Sequence, residues 1–319
     1  MLQTAAYNST YDQGIDKESV FSLIEKKDAE IYDLFALANR VRNKHRGNKV
    51  DLCSIVNAKS GACPEDCSFC AQSAHNNSSS DVYPLRDKTS IIEAASYAKK
   101  HGVKRFCVVT SGKNPSVNDL DEICGYIYEI KKLGLSPCAT LGMLDLDQLK
   151  VLKSAGLHRY HHNLETSEAF FSEICTTHTY EDKIKTIQAA RSVGLSICSG
   201  GIFGLGESWE DRIEMAFALR ELGVDSVPVN FLTPVDGTPM GSRELLDPLE
   251  ALKIIAIYRL IMPDTEIRVC GGRPATLRSL NALIFTAGAD GMLLGNYLTT
   301  QGRSPDEDLQ MIKDMGLVI

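Results

Sequence analysis

The chain alternates short apolar runs with longer segments of helical periodicity over most of its length. The apolar runs have strand length and begin near Leu52, Arg105, Leu135, Leu157, Leu195, Ser226, Glu266 and Gly288. Segments with apolar residues at helical spacing separate them, at 89–101, 116–133, 145–155, 180–193, 208–222, 247–261, 275–286 and 306–315. Eight strand–helix units in succession predict an α/β fold, namely a (β/α)8 TIM-type barrel.

Local signals support these helix boundaries. Asp247-Pro-Leu-Glu250 combines an N-cap aspartate, a first-turn proline and an N3 glutamate. Glycines stand just before the predicted strands, where a left-handed C-cap and a short loop are expected, at Gly102, Gly134, Gly156, Gly194 and Gly223. The rival architecture is a doubly wound open sheet, but no G-x-G-x-x-G follows the first strand.

The first 50 residues differ from the rest because they are polar and contain helical stretches but no strand pattern. Apolar residues recur at roughly helical spacing within 18–25 and 28–39. We therefore expect an N-terminal helical extension over 1–50 and a barrel over 51–319.

Composition and charge narrow the class of protein. The 319 residues carry a net charge of -7 and no basic block, which argues against a nucleic-acid partner. No apolar run is long enough to span a membrane, and residues 1–10 lack the pattern of a secretory signal. Ten cysteines without export predict reduced thiols and metal ligation in a cytoplasmic protein.

Three cysteines follow the first predicted strand in the run Cys63-Pro-Glu-Asp-Cys67-Ser-Phe-Cys70. A four-iron cluster usually takes four thiolates, so three leave one iron free to bind another molecule. In a barrel this loop lies at the C-terminal rim, where active sites form. The alternative is a structural zinc site, which would need a fourth ligand that the sequence does not offer nearby.

Four further cysteines, Cys107, Cys138, Cys198 and Cys270, each lie inside a predicted strand. Because alternate side chains of a barrel strand point inward, these four could converge in one interior. Their alternative is ordinary core packing, to which we also assign Cys53, Cys124 and Cys175.

The cluster loop, together with three later segments, resembles the biotin synthase family of the radical S-adenosylmethionine superfamily. The later segments are Tyr160-His-His-Asn-Leu-Glu-Thr-Ser167, Cys198-Ser-Gly-Gly-Ile-Phe-Gly-Leu-Gly-Glu207 and Val227-Pro-Val-Asn-Phe-Leu232. The resemblance is collinear from about residue 45 to the C-terminus. It implies a (β/α)8 barrel that holds two iron–sulfur clusters.

The resemblance also implies a reaction. A [4Fe-4S] cluster on Cys63, Cys67 and Cys70 would bind S-adenosylmethionine and cleave it to a 5′-deoxyadenosyl radical. That radical would remove hydrogens from dethiobiotin, and an auxiliary cluster would donate the sulfur. Such a division of labour is reasonable because acid–base groups cannot break unactivated C–H bonds.

The resemblance also implies roles for individual residues. Cys107, Cys138 and Cys198 match the ligands of the auxiliary cluster. Asn163 and Asn230 match positions that contact dethiobiotin, and Glu165 matches a carboxylate that holds the adenosyl ribose. The run that contains Gly204 resembles a segment lining the cofactor, and Lys59 matches a cationic position near the substrate carboxylate.

Two departures from the family pattern concern the site. His161 stands where asparagine is usual, and Cys270 stands where serine is usual, two residues after Arg268. The family's common auxiliary cluster is [2Fe-2S] with an arginine as fourth ligand. Since residues i and i+2 of a strand face the same way, Cys270 and Arg268 could both reach the cluster. Thiolate binds iron far better than guanidinium, so we expect Cys270 to be the ligand of a [4Fe-4S] auxiliary cluster, with Arg268 and [2Fe-2S] as the alternative.

Other functions stay open at this point. One is a different radical reaction on the same barrel, such as that of a cofactor maturase or a mutase. Another is a plain electron carrier, which would need a fourth thiolate at each cluster. For the leading interpretation we expect a flavodoxin or ferredoxin as electron donor, and a homodimer.

Overall fold

A computed structural model describes residues 13–319 as a closed parallel β-barrel surrounded by helices. The strands are β1 (Asp51–Lys59), β2 (Arg105–Thr110), β3 (Ser136–Thr140), β4 (Arg159–His161), β5 (Ser196–Cys198), β6 (Gly201–Phe203), β7 (Ser226–Phe231), β8 (Glu266–Val269) and β9 (Gly291–Leu293). Every pairing between them is parallel, and β9 pairs with β1. The predicted TIM-type barrel is therefore confirmed.

The fifth barrel strand is split into β5 and β6, so nine segments make eight strands. Both halves pair with β7, β5 through Cys198 opposite Ser226 and β6 through Gly201 opposite Val229. Gly200 lies in the break, where a Cβ atom would be only 2.1 Å from the carbonyl oxygen of Pro228. This close approach, which only glycine permits, completes the ring.

The helices around the barrel are α3 (Lys88–Lys100), α4 (Val117–Lys132), α5 (Leu146–Ala155), α6 (Tyr180–Ser192), α7 (Trp209–Glu221), α8 (Pro248–Ile261), α9 (Arg273–Leu277), α10 (Leu283–Thr286) and α11 (Pro305–Asp314). Side-chain N-caps fix most of their starts. Thr179, Ser208 and Ser304, for example, each form a reciprocal capping box with the acidic residue three positions later.

The predicted single helix over 275–286 is wrong. That segment contains α9, a 3₁₀ turn at Arg278–Leu280, and α10. Arg278 has φ +50°, which ends α9 because a helix cannot continue through the left-handed region. Buried polar contacts of Arg273 with Asn281 (2.9 Å) and Asp308 (2.6 Å) hold the bent segment against α11.

Two N-terminal helices, α1 (Lys17–Ile24) and α2 (Ala29–Arg46), pack on the outside of α8. The sequence of α8 is apolar almost all round, because the barrel covers one face and α1 and α2 cover the other. Residues 1–12 lie outside the described residues. They include the start of the expected extension and the segment in which no secretory signal is expected. Among residues 13–319, no helix has the length and apolar character needed to cross a bilayer.

Candidate active site

The barrel encloses a cavity of about 340 Å³ toward the C-terminal ends of its strands. The four strand cysteines named above all border it, and so does Cys70 from the loop after β1. Asn163, Glu165, Asn230 and Arg268 also contribute to the wall. One cavity therefore joins most of the residues that the sequence selected.

Strand register explains why the wall cysteines converge. Cys107 on β2 lies directly opposite Cys138 on β3. Cys198 on β5 lies opposite His161 on β4, and Cys270 follows the last residue of β8. All four side chains are buried. Rigid strands thus hold thiols from four separated parts of the chain on one wall.

These thiols are spaced for something larger than one ion. A single Zn²⁺ with bonds of about 2.3 Å brings its sulfur ligands within about 4 Å of one another. Within residues 13–319, no three of the wall thiols lie within 4.8 Å of one another. The donor set is all sulfur, which suits iron–sulfur clusters, and its spread suits several irons.

Cys53, for which the sequence predicts ordinary packing, also borders the cavity wall. Its side chain borders the cavity from β1 and is only half-buried, because the open space lies beside it. A hydrogen bond with the thiol of Cys270 is the main cause that lowers the pKa of Cys53 to about 6. The signal available in the sequence was its position on β1, two residues after Asp51 and therefore on the same inward face.

A layer of charged residues lies one step toward the N-terminal ends of the strands. Asp51 accepts hydrogen bonds from Arg268 (2.7 Å), and Glu266 pairs with Arg159 (3.2 Å) and with Arg268. Arg105 belongs to the same layer, because its Nε atom lies 3.3 Å from Asp51 Oδ1. Three guanidinium groups against two carboxylates leave an excess positive charge beneath the thiols, which stabilises thiolates or an anionic cluster.

Arg268 is held protonated in this layer. Burial lowers its pKa, but the charges of Cys53 and Asp51 outweigh burial and raise the pKa well above the usual value. Among residues 13–319, no acceptor pairs with its buried Nη1 atom. That unpaired donor faces the site, so it can donate a hydrogen bond to sulfur without giving up a proton.

The loop that carries Cys63, Cys67 and Cys70 is held by backbone hydrogen bonds and side-chain contacts. The backbone of Cys63 pairs with residues 72 and 74, and Asn76 Nδ2 donates to the carbonyl oxygens of Cys67 (3.2 Å) and Cys70 (2.8 Å). Gly61 precedes the loop at φ +73°, where a Cβ atom would lie 2.5 Å from Val82 Cγ2. All three thiols are half-buried.

A second loop clamps this one from the side. Cys67 Sγ lies 3.8 Å from Cys175 Sγ, and Cys175 Sγ lies 3.3 Å from His178 Nδ1. His178 also hydrogen-bonds the Glu65 carboxylate. Burial lowers the pKa of His178, but the hydrogen bonds with Cys175 and Glu65 outweigh it and raise the pKa. The sequence predicts core packing for Cys175, because its distance along the chain from the loop cysteines gives no sign of its contact with Cys67.

A relay of polar side chains runs along the cavity wall from Thr140 to Glu165. Asn163 Nδ2 donates to Glu165 Oε2 (3.2 Å), so Asn163 Oδ1 is left to accept from His161 Nε2 (2.8 Å). His161 Nδ1 then accepts from the Thr140 hydroxyl (2.8 Å). The network assigns the Nε2–H tautomer to His161.

The protonation states of the relay agree with that assignment. Burial lowers the pKa of His161 to about 4, so the ring is neutral near pH 7. Burial also raises the pKa of Glu165, against the charge of the buried Lys183 on α6. Glu165 adopts φ +74°, an uncommon conformation for a residue with a side chain, and such strain concentrates at functional sites.

The remaining predicted residues lie at different distances from the cavity. Asn230, on β7, borders it and is fixed by hydrogen bonds to Gly201 O (3.1 Å) and from Gly271 N (2.9 Å). Gly204 lies outside the wall, at φ +95°, and its N–H donates to Glu207. Lys59 also lies outside, paired with Asp119 at 2.8 Å.

Sequence comparisons match two regions of the chain to known families. Residues 58–219 match the profile described as the Radical SAM superfamily. Residues 228–318 match the profile of the Biotin and Thiamin Synthesis associated domain. Together they span the barrel and both groups of cysteines.

Curated relatives decide the family. A biotin synthase from Thermodesulfovibrio yellowstonii is 54% identical over 92% of this chain and 92% of its own length. A biotin synthase from Trichlorobacter lovleyi is 50% identical over 100% of this chain and 96% of its own. The chain belongs to the biotin synthase family. Membership makes it a radical S-adenosylmethionine enzyme of the sulfur-insertion type and implies a [4Fe-4S] cluster and S-adenosylmethionine as cofactors.

Solved structures add support for the fold. Methylornithine synthase (PylB) superposes with a TM-score of 0.85 at 20% identity, covering 98% of this chain and 96% of that one. HydG, a maturase of the [FeFe]-hydrogenase, gives 0.82 at 17% identity, covering 96% and 72%. At such low sequence identity these structures support the barrel fold alone. The function of this biotin synthase family member depends on the residues of its own site.

Proposed function

We propose that this chain converts dethiobiotin to biotin in the barrel cavity, with the loop cysteines at one end and the wall cysteines around it. The observation that carries the proposal is that Cys70 and the four wall thiols Cys107, Cys138, Cys198 and Cys270 border one cavity. A radical source and a sulfur source on the same cavity can act on one bound substrate. Most of the cavity lining is apolar, which disfavours water and other quenching groups beside a radical.

The two clusters and S-adenosylmethionine, when bound, supply a 5′-deoxyadenosyl radical that removes hydrogen from the substrate and the sulfur that replaces it. Cys63, Cys67 and Cys70 would hold the first cluster and leave one iron for the cosubstrate. Cys107, Cys138 and Cys198 would hold the auxiliary cluster. The protein residues themselves bind, orient and shield, because the hydrogens removed are not acidic.

The polar relay suits the two bound small molecules. Glu165 and Asn163 lie at the loop end of the cavity, where a carboxylate can accept hydrogen bonds from ribose hydroxyls. Asn230 lies across the wall on β7, with its amide fixed by backbone partners. We propose that Asn230, Asn163 and the neutral His161 orient the ureido group of dethiobiotin, whose donors and acceptors match theirs.

We propose further that the auxiliary cluster contains four irons, with Cys270 as a thiolate ligand. The engagement of Arg268 supports this proposal, since two carboxylates and nearby thiols hold that guanidinium protonated. A protonated guanidinium has no lone pair to give a metal. Cys270 is buried and borders the cavity. Burial raises the pKa of its thiol, but a thiol, unlike a guanidinium, gives up its proton when it binds a metal.

Metal analysis tests the cluster assignment. Anaerobically reconstituted wild type should contain about eight irons per chain, four for each cubane. Cys270→Ser should contain fewer, with the loss confined to the auxiliary signal in Mössbauer spectra. About six irons in both proteins would instead mean a two-iron auxiliary cluster that does not use Cys270.

An activity assay tests the reaction. With S-adenosylmethionine and a low-potential reductant, the enzyme should form 5′-deoxyadenosine only when dethiobiotin is present, together with a thioether product that contains cluster-derived sulfur. Steady formation of 5′-deoxyadenosine that ignores dethiobiotin would favour a maturase or mutase instead. The wall thiols argue against a mutase, which needs no sulfur source. A flavodoxin or ferredoxin remains our proposed electron donor, and a homodimer our proposed assembly.

A further inference from the structure

The cavity has one more thiol than a four-iron cluster requires. Beside Cys107, Cys138, Cys198 and Cys270, the side chain of Cys53 borders the same space. We propose that Cys53 is a fifth thiolate ligand of the auxiliary cluster, bound at the same end as Cys270. The inference rests on the proposed function, because it concerns the auxiliary cluster named there.

The position of β1 in the barrel supports this role. β1 lies between β2, which carries Cys107, and β9, which adjoins β8 and Cys270. Cys53 pairs in register with Arg105 on one side and Leu293 on the other. It therefore occupies the stretch of wall between Cys107 and Cys270.

The neighbours of Cys53 are those of the ligand set. Its side chain lines the same cavity as Cys107, Cys138, Cys198 and Cys270. Arg268, Arg105 and Arg159 line that cavity as well. Five thiols on one cavity wall beside three guanidinium groups are arranged as a single donor set.

Ordinary packing does not explain this environment. A packed cysteine is sealed among apolar side chains, as in most protein cores. Cys53 instead stays half-buried against an open space, two residues from Asp51 on the same face and beside a guanidinium. A positive neighbour favours the thiolate, which is the form that binds metals. On binding, the thiol would release its proton and form an S–Fe bond with no change in oxidation state.

Two thiolates at one end have a consequence for sulfur transfer. If the auxiliary cluster supplies a sulfide, the iron that held it would lose one of its bonds, and a second thiolate from the protein would help to retain that iron. With Cys53 and Cys270 side by side, that end of the cluster stays attached to the protein by a second sulfur. Loss of either thiol should therefore weaken retention of the cluster.

Iron release measures this retention. Wild type, Cys53→Ser, Cys270→Ser, the double variant and Cys124→Ser are reconstituted with ⁵⁷Fe and exposed anaerobically to a chelator. Cys124, on the outer helix α4, is the matched control. We expect Cys53→Ser to release auxiliary iron roughly tenfold faster than wild type, with an altered Mössbauer quadrupole doublet for one iron site, and the double variant to be worse than either single one. A Cys53→Ser protein that matches Cys124→Ser in rate and spectrum would overturn the inference.

Alkylation of the wild-type chain gives a test that needs no variant. Iodoacetamide and peptide mass spectrometry should modify Cys53 after chelation but not in the loaded enzyme, whereas Cys124 should react equally in both. Equal labelling of Cys53 with and without clusters would contradict ligation. If the wild type binds no second cluster at all, the proposed function fails as well; if the cluster is present and Cys53 is indifferent to it, only the inference fails.

Discussion

The loop cysteines and the wall cysteines place sulfur by different means. Cys63, Cys67 and Cys70 lie within one short segment whose shape depends on hydrogen bonds from Asn76 and on a neighbouring loop that contains His178. The wall cysteines come from strands far apart in sequence, and the barrel itself fixes their separation. The loop thiols are half-buried, whereas Cys107, Cys138, Cys198 and Cys270 are buried.

The difference matches the demands on the two sites. A centre that must admit a cosubstrate at an open iron needs an exposed, adaptable ligand loop. A centre that must give up sulfur beside a radical needs rigid, dry surroundings. The loop is therefore held mainly by side-chain contacts that single substitutions can remove. The wall depends on the strand backbone, which side-chain changes disturb only where strands approach most closely, as at Gly200.

The largest effects should come from exchanging one ligand of each kind. Cys67→Ser should lose about four irons and reduce cleavage of S-adenosylmethionine to background, because the open-iron cluster no longer forms. Cys138→Ser should keep the loop cluster and still form 5′-deoxyadenosine, yet yield no thioether product. Metal content and both products are measured in parallel. The two sites would not be separable if Cys138→Ser, with its loop cluster intact, also failed to cleave the cosubstrate.

Loosening the clamp should affect only the loop site. His178→Ala removes the hydrogen bond to Glu65 and the contact with Cys175, and we expect the loop cluster to release iron about 10- to 100-fold faster. The auxiliary signal should be unchanged. His178→Gln should restore part of the stability, and His101→Ala, at the C-cap of the outer helix α3, serves as control. Equal acceleration of both clusters would indicate general destabilisation instead.

Replacing the Glu165 carboxyl group tests its proposed contact with the cosubstrate ribose at the loop end of the cavity. Glu165→Gln keeps the shape but weakens hydrogen bonds to the ribose, so KM for S-adenosylmethionine should rise roughly tenfold, corresponding to about 1.4 kcal/mol. The kcat value should change less. The exposed Glu168 gives the matched variant Glu168→Gln, for which no change is expected. A fall in kcat at constant KM would assign Glu165 a different task.

The smallest effect concerns pH. His161 has a pKa of about 4 in the folded chain against 6.5 for an unperturbed ring. Below pH 6.5 the ring therefore becomes protonated in the unfolded chain but stays neutral in the folded chain. The free energy of unfolding consequently falls as the pH drops toward 4. His161→Asn should reduce the loss between pH 7 and pH 5 by about 1–2 kcal/mol in anaerobic urea unfolding. The buried His162, whose pKa is also lowered, accounts for a remaining slope. An identical pH dependence in both proteins would contradict the neutral buried ring.

Much of the barrel could be predicted because its signals are local. Apolar runs and capping residues repeat along the chain, and each unit needs only short-range information. The break between β5 and β6 was not predictable in this way, since it depends on how closely Gly200 approaches Pro228 across the barrel. The bend at Arg278 likewise depends on the buried contacts of Arg273.

In the candidate site, too, residues with a local sequence signal could be predicted, and residues whose role depends on distant contacts could not. Cys63, Cys67 and Cys70 stand out through spacing alone, and the wall cysteines through their place in strands. Cys53 also lies in a strand, β1, but its neighbour Cys270 is distant in sequence, so the strand position alone did not single it out. Cys175 carries no such signal, because its neighbour Cys67 comes from a distant part of the chain. The charged layer formed by Asp51, Arg159 and Glu266 was missed for the same reason.

Gly200 sets a limit on any redesign of this enzyme for other substrates. A methyl group there would meet a carbonyl oxygen at 2.1 Å, so even Gly200→Ala would force β5 away from β7 at the seam of the ring. Cys198 lies two residues earlier, and its sulfur would move with that strand. Mutagenesis aimed at a larger cavity should therefore leave this seam alone and vary the opposite side, around Leu298 and Thr300.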